Sequence, residues 1–501
     1  MLCKKNAQHP LIVHNSVKQR DFVFNIAILI FLNLLIKPFW ILGVEVAVQN
    51  RVGAAAYGLY FAIFNFTFLF NVVLDMGITN FNNRNIARHT QLLSKHLSGI
   101  ILLKLLLGIV YLMVTFGVAF LIGYDTLHFR LLFWMAVNQF LNAFILYLRS
   151  NVSALLLFKT DSVLSVLDRL MMILICGVML WTDVLHTPFK IEYFVYAQTA
   201  AYLVSATVAL AVVLSRAHLT RLHWNRPFFL LILKKSFPFA LLYLLMSLYC
   251  RIDAVMIERI LPVEIATTEA GIYASVFRLL DALVMISYLF SVILLPLFSK
   301  MLKEEEDIGG IVRSATSLLA FFAITSTTLL LCFRFPVLEL LYREHIAESA
   351  AVFSILIPSI IPLSMTYIFG TLLTANGNMR LLNLTATVGI VVNFLVNVLL
   401  IPRFHACGAA MATLSTQSVM ALIQTVAAIK VTKLPIKEIP FIKILIFTVV
   451  LIPSSYLFSI YFHGEAWVAL LIGSGFACLL GFATQLIPLD FLKEIRKNSS
   501  Q

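Results

Sequence analysis

Residues 237–261, FPFALLYLLMSLYCRIDAVMIERIL, and 272–298, IYASVFRLLDALVMISYLFSVILLPLF, decide how the chain is read. Each is apolar over enough residues to cross a hydrocarbon layer of about 30 Å as a helix. Yet the first holds Arg251, Asp253 and Glu258, and the second holds Arg278 and Asp281. A charge at the bilayer centre costs several kcal/mol unless it faces a partner or a water-filled cavity. The two segments therefore predict membrane helices that surround a polar interior.

The whole chain fits that reading. Its 501 residues are 61% hydrophobic and 12% charged, with a mean hydropathy of +0.96, which excludes a soluble globular domain. Counting about 20 apolar residues per crossing, helices are expected near 22–44, 58–79, 98–122, 131–157, 163–182, 193–214, 237–261, 272–298, 314–333, 351–375, 382–401, 408–429, 444–462 and 466–487. That is fourteen, with the overlong fourth expected to end near Leu148. The first is too long for a signal peptide and lacks a small-residue cleavage site, so it is read as a retained span.

Charge sets the orientation. If residues 1–21 are cytoplasmic, the inside segments hold 25 Lys and Arg and the outside segments hold 7. That asymmetry predicts an even number of crossings with both termini cytoplasmic. It also accounts for the net charge of +13 without any nucleic-acid partner. Six scattered cysteines form no CxxC or paired spacing, which predicts neither a disulfide framework nor a metal site.

An internal repeat appears at an offset of 213 residues. Gly58-Leu-Tyr-Phe-Ala-Ile-Phe64 opens the second span and Gly271-Ile-Tyr-Ala-Ser-Val-Phe277 opens the eighth. The same offset carries Glu45 onto Glu258, and Lys37 to within one residue of Arg251. Six spans per half predict two lobes related by a parallel repeat around a central cavity. The expected divisions are a cytoplasmic segment 1–21, a first lobe 22–214, a basic linker 215–236, a second lobe 237–429, two further helices within 444–487, and a tail 488–501.

Several short motifs support the same picture. Arg51-Val-Gly53, Tyr57-Gly58-Leu-Tyr60, Asp75-Met-Gly77 and Asn83-Arg84-Asn-Ile86-Ala87 resemble the N-terminal region of bacterial polysaccharide (O-antigen-type) flippases. Those belong to the multidrug/oligosaccharidyl-lipid/polysaccharide exporter superfamily. Arg251-Ile-Asp253 with Ala270-Gly-Ile-Tyr273 resembles the seventh and eighth spans of that family, and Gly408-Ala-Ala-Met-Ala-Thr413 its twelfth. The resemblance implies an all-α, fourteen-helix transporter of the bacterial inner membrane, not an enzyme. It would move an undecaprenyl-diphosphate-linked oligosaccharide from the inner to the outer leaflet. Glycosyltransferases and a polysaccharide polymerase would be its working partners beside the lipid bilayer. It implies no cofactor, and the lack of a G-x-x-x-x-G-K-[ST] loop agrees with the absence of a nucleotide site. Whether H+ or Na+ couples to transport stays open.

Helical geometry sorts the embedded charges. Arg251 and Glu258 share a face, Asp253 lies about 200° round from Arg251, and Arg278 and Asp281 are neighbours three residues apart. Counted from the outer helix ends, Arg251 and Asp281 both lie about 15 Å deep and are expected to meet. Arg278, at about 9 Å, is expected nearest Glu258 and Asp253 in depth. Two readings remain for Arg251, Arg278, Lys37, Asp253 and Asp281: interhelical ion pairs alone, or cavity groups with spare cationic capacity for a diphosphate. Asp75 and Lys104, nearer the inner ends of their spans, are expected to pair as a cytoplasmic latch. Asp168 and Arg169 are adjacent and cannot share a face. Competing functions are a multidrug exporter of the same superfamily and, from another class, a membrane glycosyltransferase or polymerase. The second would need a large outside loop, and none is expected here.

Overall fold

The computed structural model describes residues 32–33, 35–79, 82–83, 86, 91–155, 157–182, 187–217, 226–461 and 465–487. The expected segments 1–21 and 488–501 lie outside the described residues. The fold is helical, with no strand among the described residues. In hydrocarbon each backbone N–H and C=O needs a partner within its own segment, which a helix supplies.

The helices are α1 (Leu35–Leu69), α2 (Asn71–Asp75), α3 (Leu92–Leu121), α4 (Thr126–Ala154), α5 (Phe158–Trp181), α6 (Ile191–Leu214) and α7 (Arg226–Ile260). There follow α8 (Val263–Lys303), α9 (Gly309–Cys332), α10 (Arg334–Leu341), α11 (Ile346–Ala375), α12 (Met379–Thr432), α13 (Phe441–Tyr461) and α14 (Ala466–Ala483). Twelve are long and apolar enough to cross a membrane.

Two of these twelve double back. Gly53 breaks α1 with φ 82° and ψ 165°, backbone that an L side chain rarely adopts. On a straight helix Glu45 and Phe61 would lie about 24 Å apart. Arg278 nevertheless bonds Glu45 at 2.8 Å and sits 5.0 Å from the Phe61 ring centre. In α12 the break is His405, at φ 51° and ψ −128°. A Cβ on Gly408 would meet the Leu400 carbonyl at 2.4 Å, although eight helical residues span about 12 Å. With both turns counted, the described helices make fourteen traverses, the number expected.

In the first half α1 packs on α4 and α6 on α4 and α5, and in the second α12 packs on α7 and α11 and α9 on α11; these two groups are called the first and second lobes, while α13 and α14 pack on α9. There Phe447, Leu451 and Ala477 are buried against Ala320 and Ile324. Helix ends differ from the apolar-run estimate because hydropathy measures the hydrocarbon, not the hydrogen-bonded helix. Helix α7 begins at Arg226, inside the segment expected as a linker, and α8 begins at Val263 rather than near 272. Pro262 ends the short break between them. Helix α4 runs past Leu148 to Ala154, with Ser150 and Asn151 donating back to the Tyr147 carbonyl.

The repeated glycines touch. A Cβ on Gly58 would stand 1.9 Å from the Thr267 carbonyl, and one on Gly271 would stand 2.0 Å from the Ala54 carbonyl. Only a bare backbone fits at this crossing of α1 and α8. Around it Gln49 donates to the Gly271 carbonyl (3.1 Å), Asn50 to the Leu341 carbonyl (2.7 Å), and the Arg343 amide to Asn50 (3.2 Å). Glu344 accepts the Ala54 amide at 3.4 Å, capping the helix that restarts after Gly53. Asp125 caps α4 nearby, and its carboxyl is held below the usual range chiefly by the His128 amide. His128 in turn reaches Glu258 of the other lobe at 3.2 Å. This end of the molecule is closed.

Gly271→Ala should therefore destabilise this conformation by about 1–3 kcal/mol or more, the usual range for overpacking. Thermal unfolding in detergent checks it. An unchanged melting temperature would mean that the lobes do not meet here.

Candidate functional site

Below the closed end the lobes enclose a cavity of about 340 Å³. Its first-lobe wall comes from α1 (Lys37, Trp40, Glu45, Tyr60, Phe64), α4 (Asn138, Gln139, Asn142), α5 (Arg169) and α6 (Gln198, Tyr202). Its second-lobe wall comes from α7 (Arg251), α8 (Arg278, Asp281, Tyr288) and α11 (Tyr367).

Local structure positions the key carboxylate. Trp40–Glu45 form a π-helical turn inside α1, and the wider i to i+5 spacing sets Trp40 over Glu45. The indole N–H donates to Glu45 Oε1 at 3.1 Å. The other oxygen, Oε2, forms an ion pair with Arg278, 2.8 Å from its Nε. Arg278 also donates to the Tyr57 hydroxyl (3.4 Å), lies over Phe61 and Phe64, and approaches Asp281 at 3.8 Å. Arg251 bonds the same Asp281 oxygen at 3.4 Å and lies between the Phe68 and Phe277 rings, 5.4 and 5.2 Å away. Both second-lobe arginines thus have carboxylate partners.

The first-lobe cations are less provided for. Among the described residues Arg169 has one carboxylate beside it, its neighbour Asp168 at 3.6 Å, and otherwise meets the Tyr202 hydroxyl, Met172 Sδ and the face of Trp40. Lys37 has no ion-pair or hydrogen-bond partner among the described residues. Half-buried cations short of counter-charge are anion-binding groups, and the guanidinium fork of Arg169 suits a phosphate in particular.

The sequence-expected residues divide accordingly. Arg251 and Asp281 meet, and Lys37, Arg251, Arg278 and Asp281 share the cavity. Arg278 does not pair with Glu258 or Asp253; its partner is Glu45, which only the fold-back at Gly53 brings within reach. Asp253 is not on the cavity wall. It is 2% exposed, faces away from Arg251, and accepts from Asn393 (2.9 Å), Asn397 (2.7 Å), Tyr273 (2.9 Å) and the Thr413 hydroxyl. Its role is to hold α7, α8 and α12 together. Asp75 and Lys104 pair at 2.5 Å beside a second pocket of about 200 Å³ between α2 and α7. Arg169 was singled out with Asp168 in the sequence but not assigned to the cavity, and the amide side chains of α4 and α6 escaped the sequence reading. The available signal was an arginine in mid-span with one carboxylate beside it. Among the described residues no three His, Cys, Asp or Glu gather as a metal site.

A family model described as polysaccharide biosynthesis protein matches residues 22–302, more than half of the chain. No curated protein sequence matches it. Among solved structures the chain is similar to the lipid II flippase MurJ in an inward closed conformation, with a TM-score of 0.68 at 14% identity, over 94% of this chain and 98% of that one. It is also similar to an inward-facing multidrug resistance MATE family transporter of the MOP superfamily, with a TM-score of 0.64 at 12% identity, over 81% and 98%. A MOP superfamily transporter from Pyrococcus furiosus gives 0.58 at 13% identity, over 83% and 96%. At such identities the likeness establishes the fold.

The Glu45–Arg278 pair yields a test. Glu45→Ala leaves a buried guanidinium short of its main partner and should lower stability by roughly 3–5 kcal/mol. Glu45→Ala with Arg278→Ala should cost clearly less than the sum of the single changes, read from melting curves of the four proteins. Additive losses would mean that the pair is not coupled.

Proposed function

The chain belongs to the polysaccharide biosynthesis protein family, and from that premise we propose that it moves a polyprenyl-diphosphate-linked oligosaccharide from the inner to the outer leaflet of a bacterial inner membrane. The observation that carries the reading is the cavity's imbalance of charge. Four cations, Lys37, Arg169, Arg251 and Arg278, line it with two carboxylates, Glu45 and Asp281, and a third, Asp168, lies beside Arg169. The shortfall lies on the first-lobe wall. A diphosphate supplies what that wall lacks, while the lipid tail stays in the bilayer at the gap between lobes.

The excess of Lys and Arg in the segments read as inside supports cytoplasmic termini, an orientation in which the closed end faces outward and the cavity loads from inside. Glycosyltransferases on the inner face would supply the substrate, and a polymerase outside would consume it. With the interior negative, moving an anionic head group outward is favoured by about 2.3 kcal/mol per charge per 100 mV. A multidrug exporter of cationic compounds fits less well, because a cationic guest would face a cationic wall.

Cells lacking this protein should accumulate the lipid-linked glycan on the inner leaflet and lose the surface polysaccharide. The native chain should restore export. Arg169→Ala and Lys37→Ala, present in the membrane at native amounts, should each reduce export at least tenfold. Full restoration by both variants would refute phosphate capture by the first lobe.

A further inference from the structure

The cavity carries a neutral polar face beside its charged one. On α4 Met135, Asn138, Gln139 and Asn142 recur at the i, i+3, i+4, i+7 spacing of a single helix face, and all four line the cavity. Two of the nearby amides are spent on the scaffold. Asn138 donates to the Val195 carbonyl (3.3 Å) and Gln198 (3.4 Å), and accepts the Thr199 hydroxyl at 2.7 Å. Gln198 donates to the Tyr60 hydroxyl at 2.7 Å. These bonds tie α1, α4 and α6 together.

Gln139 is spent on nothing. It is 4% exposed, it borders the cavity, and its amide has no hydrogen-bond partner among the described residues. Asn142, one turn on, is also without a partner among the described residues and borders the same space. Gln139 is buried and Asn142 half-buried, so two unspent amides bordering one cavity mark a place where a polar ligand completes the bonding. The chemistry of that ligand follows from the carboxamide, which offers two N–H donors and one carbonyl acceptor with no charge. A phosphate, an acceptor only, uses half of this. A sugar hydroxyl, or an acetamido group on a sugar, donates and accepts and uses all of it. The half-buried Phe64 and Phe68 rings on the same lobe border this space and offer apolar surface to a pyranose.

We propose that Gln139 and Asn142 form the subsite for the first sugar of the head group, next to the diphosphate held by Lys37 and Arg169. This rests on the transport reading above and adds to it the residues that recognise the glycan. Specificity of this kind is strong, because a ligand lacking the sugar leaves both amides unpaired.

The test is equilibrium binding to purified protein in detergent, with three probes: a short-chain polyprenyl diphosphate bearing no sugar, one bearing a hexose, and one bearing an N-acetylhexosamine. The native protein should prefer at least one sugar-bearing probe, and which one separates hydroxyl from acetamido recognition. Gln139→Met with Asn142→Leu, near in shape and breaking no existing bond, should keep the native melting temperature. It should weaken the preferred probe about tenfold, the value of one to two neutral hydrogen bonds, and leave the sugar-free probe unchanged. Gln139→Met alone should give part of that loss. Equal native affinity for all three probes, or a preference that survives the double substitution, overturns the subsite while leaving diphosphate capture intact. Failure of the native protein to bind any probe refutes the transport reading itself, and the subsite with it.

Discussion

Two helices brought together until backbone meets backbone, at Gly58 and Gly271, set the geometry on which the cavity depends. At that distance no side chain can intervene, so the lobes meet at a fixed point and angle. The fold-back at Gly53 is the counterpart of this constraint. It returns α1 beside itself, so that Glu45 and Tyr57 both face Arg278 across the lobe boundary. Gln49 and Glu344 satisfy backbone groups that the crossing and the break would leave bare in a water-poor setting.

The electrostatics follow from that geometry. The second lobe holds its arginines in pairs, with Asp281 shared between Arg251 and Arg278 and Glu45 contributed by the first lobe. Such pairs return little net stability once desolvation is counted, but they fix side chains in place. The first lobe keeps Lys37 and Arg169 short of counter-charge. A cavity with one wall of satisfied cations and one wall of unsatisfied ones gives an anionic guest a preferred side. Because Glu45–Arg278 joins the lobes, an anion that competes for Arg278 would also loosen the tie between them.

Much of this was legible in the sequence, for physical reasons. Span number follows from composition, since hydrocarbon thickness is fixed, and the two merged helices restore the fourteen expected. The meeting of Arg251 with Asp281 followed from helical rise on adjacent helices. The 213-residue repeat picked out Gly58 and Gly271 as equivalent, although nothing local revealed that they touch. Glu45 as the partner of Arg278 was hidden, because it depends on a sharp turn at Gly53 and on docking of distant helices. Asp253 was placed on the correct side of its helix, away from Arg251, but its ring of amide and hydroxyl partners comes from α8 and α12 and has no local signature. The place of Arg169 on the cavity wall, and Gln139 altogether, were hidden for the same reason: whether a polar residue in a span is satisfied depends on neighbours far along the chain.

The central claim is that the cavity is an anion site whose capacity lies on the first lobe. The most direct measurement is binding of a short-chain polyprenyl diphosphate, against the uncharged polyprenol of the same length, to purified protein over a range of salt concentrations. The account predicts that the diphosphate binds far more tightly, that added salt weakens it, and that the advantage disappears when Lys37 and Arg169 are both replaced by glutamine. Equal binding of the two lipids, or a diphosphate preference retained by the doubly substituted protein, would contradict it.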